Sequence, residues 1–295
     1  MRSKPLHKLR SLLQITAVFI VSLYLAGCEK DITVDLPEAD PKLAIEGYII
    51  QGEPARVFVS RTTSFFAPTD SLTLIESAVK GATVIVSDGT ISDTLLEPIP
   101  TLGYLYFSTS MIGEVGKTYS LTVTTKEGET VTSTTTINPP VQLDSVWFLA
   151  QPELDSLGWA WARLSDPPDQ KNYYRWFAKR IGEDDDFIAP FGSVSEDRFY
   201  NGLTFDFAYG RGQSPNSNEE EDNNDEAGWF KEGDTIAVKF ASITKESFDF
   251  WRSAESQTIG NGNPFSAPAP LKGNIDGGIG IWEGFSFTLD TIYAD

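Results

Sequence analysis

Short runs in which β-branched and aromatic residues alternate with polar ones recur from Leu43 to Ile292, closed by glycine, proline, asparagine or aspartate. A period of two sends successive side chains to opposite faces, so each run reads as a strand with one face in a core. Leu43 to Ile50, Val57 to Val59, Ala82 to Val86, Tyr104 to Phe107, Tyr119 to Thr125 and Thr130 to Ile137 form an all-β stretch over residues 42–138. Between the last two, Lys126-Glu127-Gly128-Glu129 supplies a hairpin with a glycine available for positive φ. Beyond Pro139-Pro140, strands are expected at Ser145 to Ala150, Trp159 to Leu164, Tyr173 to Ile181, Leu203 to Tyr209, Ile236 to Ser242 and Phe285 to Ile292. A proline pair cannot sit inside a hydrogen-bonded ladder. It therefore predicts a boundary between two separately folding domains, residues 42–138 and residues 141–295. One helix is expected, with Thr244 as N-cap of Lys245 to Ser256 and Phe248, Trp251 and Ala254 as its buried stripe. The expected fold class is mainly β: two β-sandwich-like domains, the second carrying this helix.

The run Gly116-Lys117-Thr118-Tyr119-Ser120-Leu121-Thr122-Val123 resembles the strand that carries a tyrosine corner in immunoglobulin-like sandwiches. Together with Gly81-Ala82-Thr83-Val84-Ile85-Val86 it is also similar to the small carboxypeptidase-regulatory-like sandwich. Both resemblances imply a β-sandwich for the first domain.

The amino terminus divides into three zones. Arg2, Lys4, Lys8 and Arg10 precede the first acidic residue, Glu29; Ile15 to Ala26 is apolar apart from Thr16 and Ser22; and Leu25-Ala26-Gly27-Cys28 closes the stretch with small residues before a cysteine. Positive charge, a short apolar helix and small residues at the cut are what a signal peptide requires. The apolar core is short against the ~20 residues of a membrane span. An uncleaved anchor helix is the competing reading. Cys28 is the sole cysteine of the chain and stands where a lipoprotein signal peptidase needs a thiol to be acylated. The expectation is a lipoprotein signal peptide over residues 1–27, lipid on Cys28, and an acidic tether over residues 28–41. Lipid contact would then run through the acylated cysteine.

This cut limits the chemistry. The one histidine, His7, lies in the signal, and the one thiol is consumed by lipid. Ser-His-Asp catalysis, cysteine nucleophiles, disulfides and Cys/His zinc sites are excluded for the exported part. Paired carboxylates, for glycoside cleavage or calcium, survive on composition. The formal net charge is −19, from 23 basic and 42 acidic residues, and removing four basic residues with the signal makes the remainder more acidic still. That field repels nucleic acid, so no nucleic-acid partner is expected.

Two acidic clusters invite a calcium reading: Glu183-Asp184-Asp185-Asp186 and Asn216 to Glu226. Neither has oxygen ligands at the fixed offsets with the turn glycine of a calcium loop, so both read as solvated loops and no metal or cofactor is expected. Asn274-Ile275-Asp276-Gly277-Gly278-Ile279-Gly280-Ile281-Trp282 lacks the strand-then-helix frame of a phosphate loop, and its glycines read as backbone devices. Within the irregular stretch Asn261 to Gly284, Phe265 and Trp282 are candidate interface anchors, against the competing reading that Trp282 is simply buried.

A set of motifs in the second half carries a further resemblance. Asp166-Pro167-Pro168, Asn172-Tyr173-Tyr174-Arg175, Asp197-Arg198-Phe199-Tyr200-Asn201-Gly202, Gly233-Asp234-Thr235, Asn263-Pro264-Phe265 and Gly273-Asn274-Ile275-Asp276-Gly277-Gly278-Ile279-Gly280 follow one another in that order. The order resembles the DUF4249 family, lipoproteins of Bacteroidota-type bacteria, over essentially all of the exported part. No catalytic residue comes with the resemblance. It implies an outer-membrane lipoprotein acting as an accessory of a TonB-dependent transporter. Glu29-Lys30-Asp31 directly after Cys28 resembles the export tag that sends such lipoproteins to the cell exterior, although Ile32 stands where a second acid often follows. The functional expectation is a non-catalytic, surface-exposed accessory or binding module with a TonB-dependent receptor as partner. A structural or assembly lipoprotein and a carboxylate-dependent hydrolase are the alternatives. No ligand-binding residue is singled out.

Overall fold

A computed structural model describes residues 40–64, 71–100, 103–154, 156–212, 228–260 and 270–295. Cys28 with the Glu29-Lys30-Asp31 tag, the acidic run Asn216 to Glu226, and Phe265 lie outside these residues. Among the described residues no helix is long and apolar enough to cross a membrane.

The chain is mainly β, as its alternating runs require. The strands are β1 (Leu43–Ile50), β2 (Pro54–Arg61), β3 (Thr83–Ser87), β4 (Ser92–Thr94), β5 (Leu105–Ile112), β6 (Thr118–Thr124) and β7 (Thr130–Thr136), then β8 (Ser145–Ala150), β9 (Leu157–Ser165), β10 (Tyr173–Arg180), β11 (Val194–Glu196), β12 (Thr204–Tyr209), β13 (Phe230–Lys231), β14 (Thr235–Ser242) and β15 (Ile279–Tyr293). Among the described residues two α-helices accompany them, α1 (Ser71–Ser77) and α2 (Lys245–Gly260). α1 has no counterpart in the sequence reading, and α2 runs past the expected end at Ser256. Thr244 caps α2 as anticipated, its Oγ1 accepting from the Ser247 backbone N–H at 3.2 Å.

One seven-stranded sheet organises the molecule, in the order β11-β10-β14-β15-β1-β2-β5. β15 is the seam. Its first half runs parallel to β1, Ile279 to Phe285 against Ala44 to Ile50, and its second half pairs antiparallel with β14. A central strand covered on both faces loses the alternating pattern, and Gly280 to Ser286 are all buried. This corrects the expectation of two separate domains. Pro139-Pro140 does mark where one covering sheet gives way to the next, but the strands on either side share a single sheet.

Two smaller sheets cover one face of that sheet. β4-β3-β6-β7 closes a first core around Leu43, Ile45, Val57, Tyr106, Leu121 and Trp282. A second sheet of β8, β9, β12 and β13 closes another around Leu164, Trp176, Phe230, Val238 and Phe240. Trp282 is 0% exposed, so its reading as an interface anchor is corrected: it is core. Its Nε1 donates to the Tyr119 carbonyl at 3.1 Å, and a Cβ on Gly47 would stand 2.7 Å from its ring. The tyrosine corner is present in its functional sense. Tyr119 Oη accepts from the Glu114 N–H at 2.8 Å and donates to the Ile112 carbonyl at 3.2 Å, tying the approach to β6.

The segment read as irregular becomes strand from Ile279 onward, because its polar and glycine residues replace ordinary ladder partners. The Asn274 side chain accepts from the Trp282 N–H and donates to the Trp282 carbonyl, both at 2.8 Å, as a neighbouring backbone would. At Gly280, φ is +110° and a Cβ would lie 1.9 Å from the Ile45 carbonyl oxygen, so any side chain would break the parallel pairing.

Candidate functional site

The opposite face of the shared sheet carries the third layer. On β1, Leu43, Ile45 and Ile49 point into the first core, so Tyr48 and Ile50 point away from it; the same parity sends Arg56 and Phe58 of β2, Arg175 and Phe177 of β10, Lys239 of β14, and Glu283 and Phe285 of β15 to the outer face. α2 packs there through Phe248 against Ile50, Ala241, Ile243 and Phe285. Beside the helix no described residue covers the face. A cleft of about 1420 Å³ lies over it, floored by the sheet and walled by Trp251 and Glu255 of α2, by Phe187 to Phe191 of the loop after β10, and by Trp159 and Trp229. Those two indoles stack at 5.9 Å between ring centroids.

Arg175 is the central polar group. It is only 9% exposed, and its guanidinium lies 3.5 Å from the Trp251 ring centroid and 4.7 Å from that of Phe177. Two rings therefore hold the plane of the fork. The nearest carboxylate, Glu283, is 1% exposed and reaches Nη1 only at 4.0 Å, beyond hydrogen-bond distance. Glu283 Oε2 instead accepts from Trp251 Nε1 at 3.0 Å. Arg175 Nε and Glu283 Oε1 are buried without a hydrogen-bond partner among the described residues. Burial pushes the Glu283 carboxyl above the usual carboxylate range, with Arg175 pulling the other way. Burial likewise lowers Arg175, opposed by the charge of Glu283. Glu255 is raised by burial as well, against the Gly192 backbone N–H and Arg175.

Around this pair the cleft alternates rings and charges. Tyr48 stands opposite Glu283 on β15 and opposite Arg56 on β2. Its phenol, hydrogen-bonded to Glu46, is raised far above its ordinary value by burial first and by the charges of Glu46 and Glu283 second. Lys239 Nζ sits 4.4 Å from the Phe187 centroid and 4.7 Å from that of Phe287, and burial lowers its pKa. At the mouth, Arg56 and Glu53 pair at 3.5 Å with both side chains exposed, a contact that contributes little. The arrangement can desolvate an apolar body and hold one anionic group. Among the described residues, no group of three or more histidine, cysteine, aspartate or glutamate side chains could hold a metal ion.

Several motifs quoted from the sequence converge behind this site rather than in it. Asp166 accepts from Tyr174 Oη at 2.6 Å and from the Gly202 N–H at 3.1 Å, and Asp197 accepts from the Asn172 N–H at 2.7 Å. These contacts anchor the start of β10, one residue from Arg175. The reading of Glu183 to Asp186 as a purely solvated loop is corrected at Asp184, whose side chain is 8% exposed and accepts from Arg180 and Arg211 at 3.1 and 3.0 Å. Sequence reasoning gave no cleft residue a ligand role, and Trp251 and Ala254, expected in the buried stripe of α2, are half-buried and line the cleft instead. A signal was present: Tyr174-Arg175-Trp176 are all buried, and a charged residue amid a run of rings implies a strand covered on both sides with a polar partner to find.

A family model described as a domain of unknown function (DUF4249) matches residues 29–289. No curated protein matches this sequence.

Proposed function

This chain belongs to the DUF4249 family, and we propose that it is an exported, lipid-anchored binding protein of the outer membrane that serves a TonB-dependent transporter without catalysis. The observation that carries this reading is the open aromatic cleft with a buried, ring-stacked arginine on its floor. Binding sites take this form: a concave, largely apolar surface with a few fixed polar groups. The lipid-modification signal ending at Cys28 supports the anchor, and Glu29, Lys30 and Asp31 support export to the cell surface. With the only histidine and the only thiol at or before position 28, imidazole bases and free-thiol nucleophiles are missing from the exported part, while carboxylates remain.

Two experiments test this. Cys28→Ser should abolish metabolic palmitate labelling and leave precursor or soluble protein; unchanged labelling would refute the anchor. Tagged protein recovered from gently solubilised outer membranes should bring a TonB-dependent receptor at stoichiometric yield. Recovery of the lipoprotein alone, together with hydrolysis of a glycan or peptide panel that depends on one Asp or Glu, would make it an enzyme instead.

A further inference from the structure

The cleft also indicates what it holds. We propose that it takes an organic monocarboxylate with an aromatic or other apolar body, the carboxylate docking on Arg175 and the body lying on Phe177, Phe285 and Trp251. This rests on the reading of the cleft as a binding site and names its ligand class.

The argument begins with the arginine. A guanidinium presents five donors in a planar fork and stays charged. Trp251 and Phe177 occupy its faces, so its donors remain at its edge. Among the described residues no acceptor lies within hydrogen-bond distance of that edge: Glu283 is 4.0 Å away and is already engaged by the Trp251 indole. A buried donor without an acceptor is costly, and burying a charged fork between rings is sustained only where an acceptor can arrive. A carboxylate matches the fork in shape and charge, with two parallel N–H···O bonds.

The surroundings select a single negative charge over several. Glu283 and Glu255 face Arg175 from β15 and α2, Glu53 and Asp186 also line the cleft, and the whole chain is strongly acidic. A phosphate dianion would meet repulsion from each of these, whereas one carboxylate is compensated by Arg175, with Lys239 nearby and Arg56 already paired with Glu53. The rings supply the remainder of the recognition. At about 1420 Å³ the cleft exceeds the roughly 300–1,000 Å³ of ordinary small-molecule pockets. A one-ring acid therefore fits the cleft, with room for a longer body.

The test is calorimetric titration of the full-length lipoprotein with 4-phenylbutyrate, the uncharged 4-phenylbutanamide and 4-phenylbutyl phosphate as minimal probes. The acid should bind at least about 10-fold more tightly than the amide and more tightly than the phosphate, since a charge-assisted pair is worth a factor of about 10 to 100. Arg175→Gln should erase the preference for the acid, and Arg175→Lys, which keeps charge without the fork, should retain part of it. The comparison of the three probes on the unaltered protein needs no variant, so a misfolded variant does not spoil it. Equal binding of acid and amide, or tighter binding of the phosphate, overturns the assignment of the ligand while leaving a binding cleft. Binding of none of the three overturns both the ligand class and the capture role of the cleft. The receptor co-purification above then judges the transporter reading separately.

Discussion

Replacing Trp282 by alanine tests whether β15 joins the two halves energetically as well as geometrically. Trp282 comes from the last strand, is fully buried in the first core, and donates to the Tyr119 carbonyl of β6. Truncating a buried tryptophan costs about 3–5 kcal/mol, most of it from the space left behind. For a chain of this size each kcal/mol lowers Tm by about 2–4 °C, so Trp282→Ala should lower it by about 6–20 °C. Because β15 pairs with β1 and with β14, the loss should appear in one cooperative transition, with both halves melting together. A second substitution sharpens the reasoning. A Cβ at Gly47 would meet the Trp282 ring at 2.7 Å, so Gly47→Ala alone should cost about 1–3 kcal/mol by overpacking. In the Trp282→Ala background that cost should vanish, leaving a coupling energy of the same size. Differential scanning calorimetry of the four proteins gives the whole cycle. A shift below about 2 °C for Trp282→Ala, two separated transitions, or strictly additive effects would refute the account of β15 as a shared core strand.

The sheet topology also predicts that a fragment covering residues 40–138 does not fold alone, since it lacks the β15 partner of β1 and loses Trp282 and Ile275 from its core; a cooperative melt of that fragment by circular dichroism would contradict this. Thr244→Ala removes the N-cap of α2 and should cost about 1 kcal/mol in denaturant unfolding, with no change in the slope. Asp184 is held below its usual value of 3.8 because, although burial opposes its ionisation, the hydrogen bonds from Arg180 and the charge of Arg211 outweigh it. A depressed folded-state pKa contributes stability that is complete above the unfolded value and lost as pH falls through the folded one. Asp184→Asn should therefore cost about 1–2 kcal/mol at pH 7, with the difference from the parent shrinking below about pH 4; a difference constant down to pH 2 would show that the pairing is not the cause.

The strands were largely legible because their alternation is local. Ser145–Ala150 coincides with the sequence reading, and Leu43–Ile50 does as well. The helix was legible through its cap, but of its expected stripe only Phe248 is buried, with Phe250 and Ser253 buried in place of Trp251 and Ala254. The cleft was not legible. Its residues come from β1, β2, β10, β14, β15 and α2, and no spacing along the chain relates Arg175 to Glu283 or Trp251.

Residue chemistry by itself determined the β class, the lack of any histidine or cysteine after Cys28, and the motif order that resembles the family whose model matches the chain. Those depend on composition, on the order of short motifs, or on the local backbone periodicity of neighbouring residues. Tertiary structure decided the rest. Pro139-Pro140 looked like a division because a proline pair stops one ladder, but the last strand returns to pair with the first, a contact between residues more than 200 positions apart that no local pattern encodes. The same return buries Trp282, turns a glycine-rich stretch into strand, and sets Glu283 beside Arg175 on the face that carries the cleft.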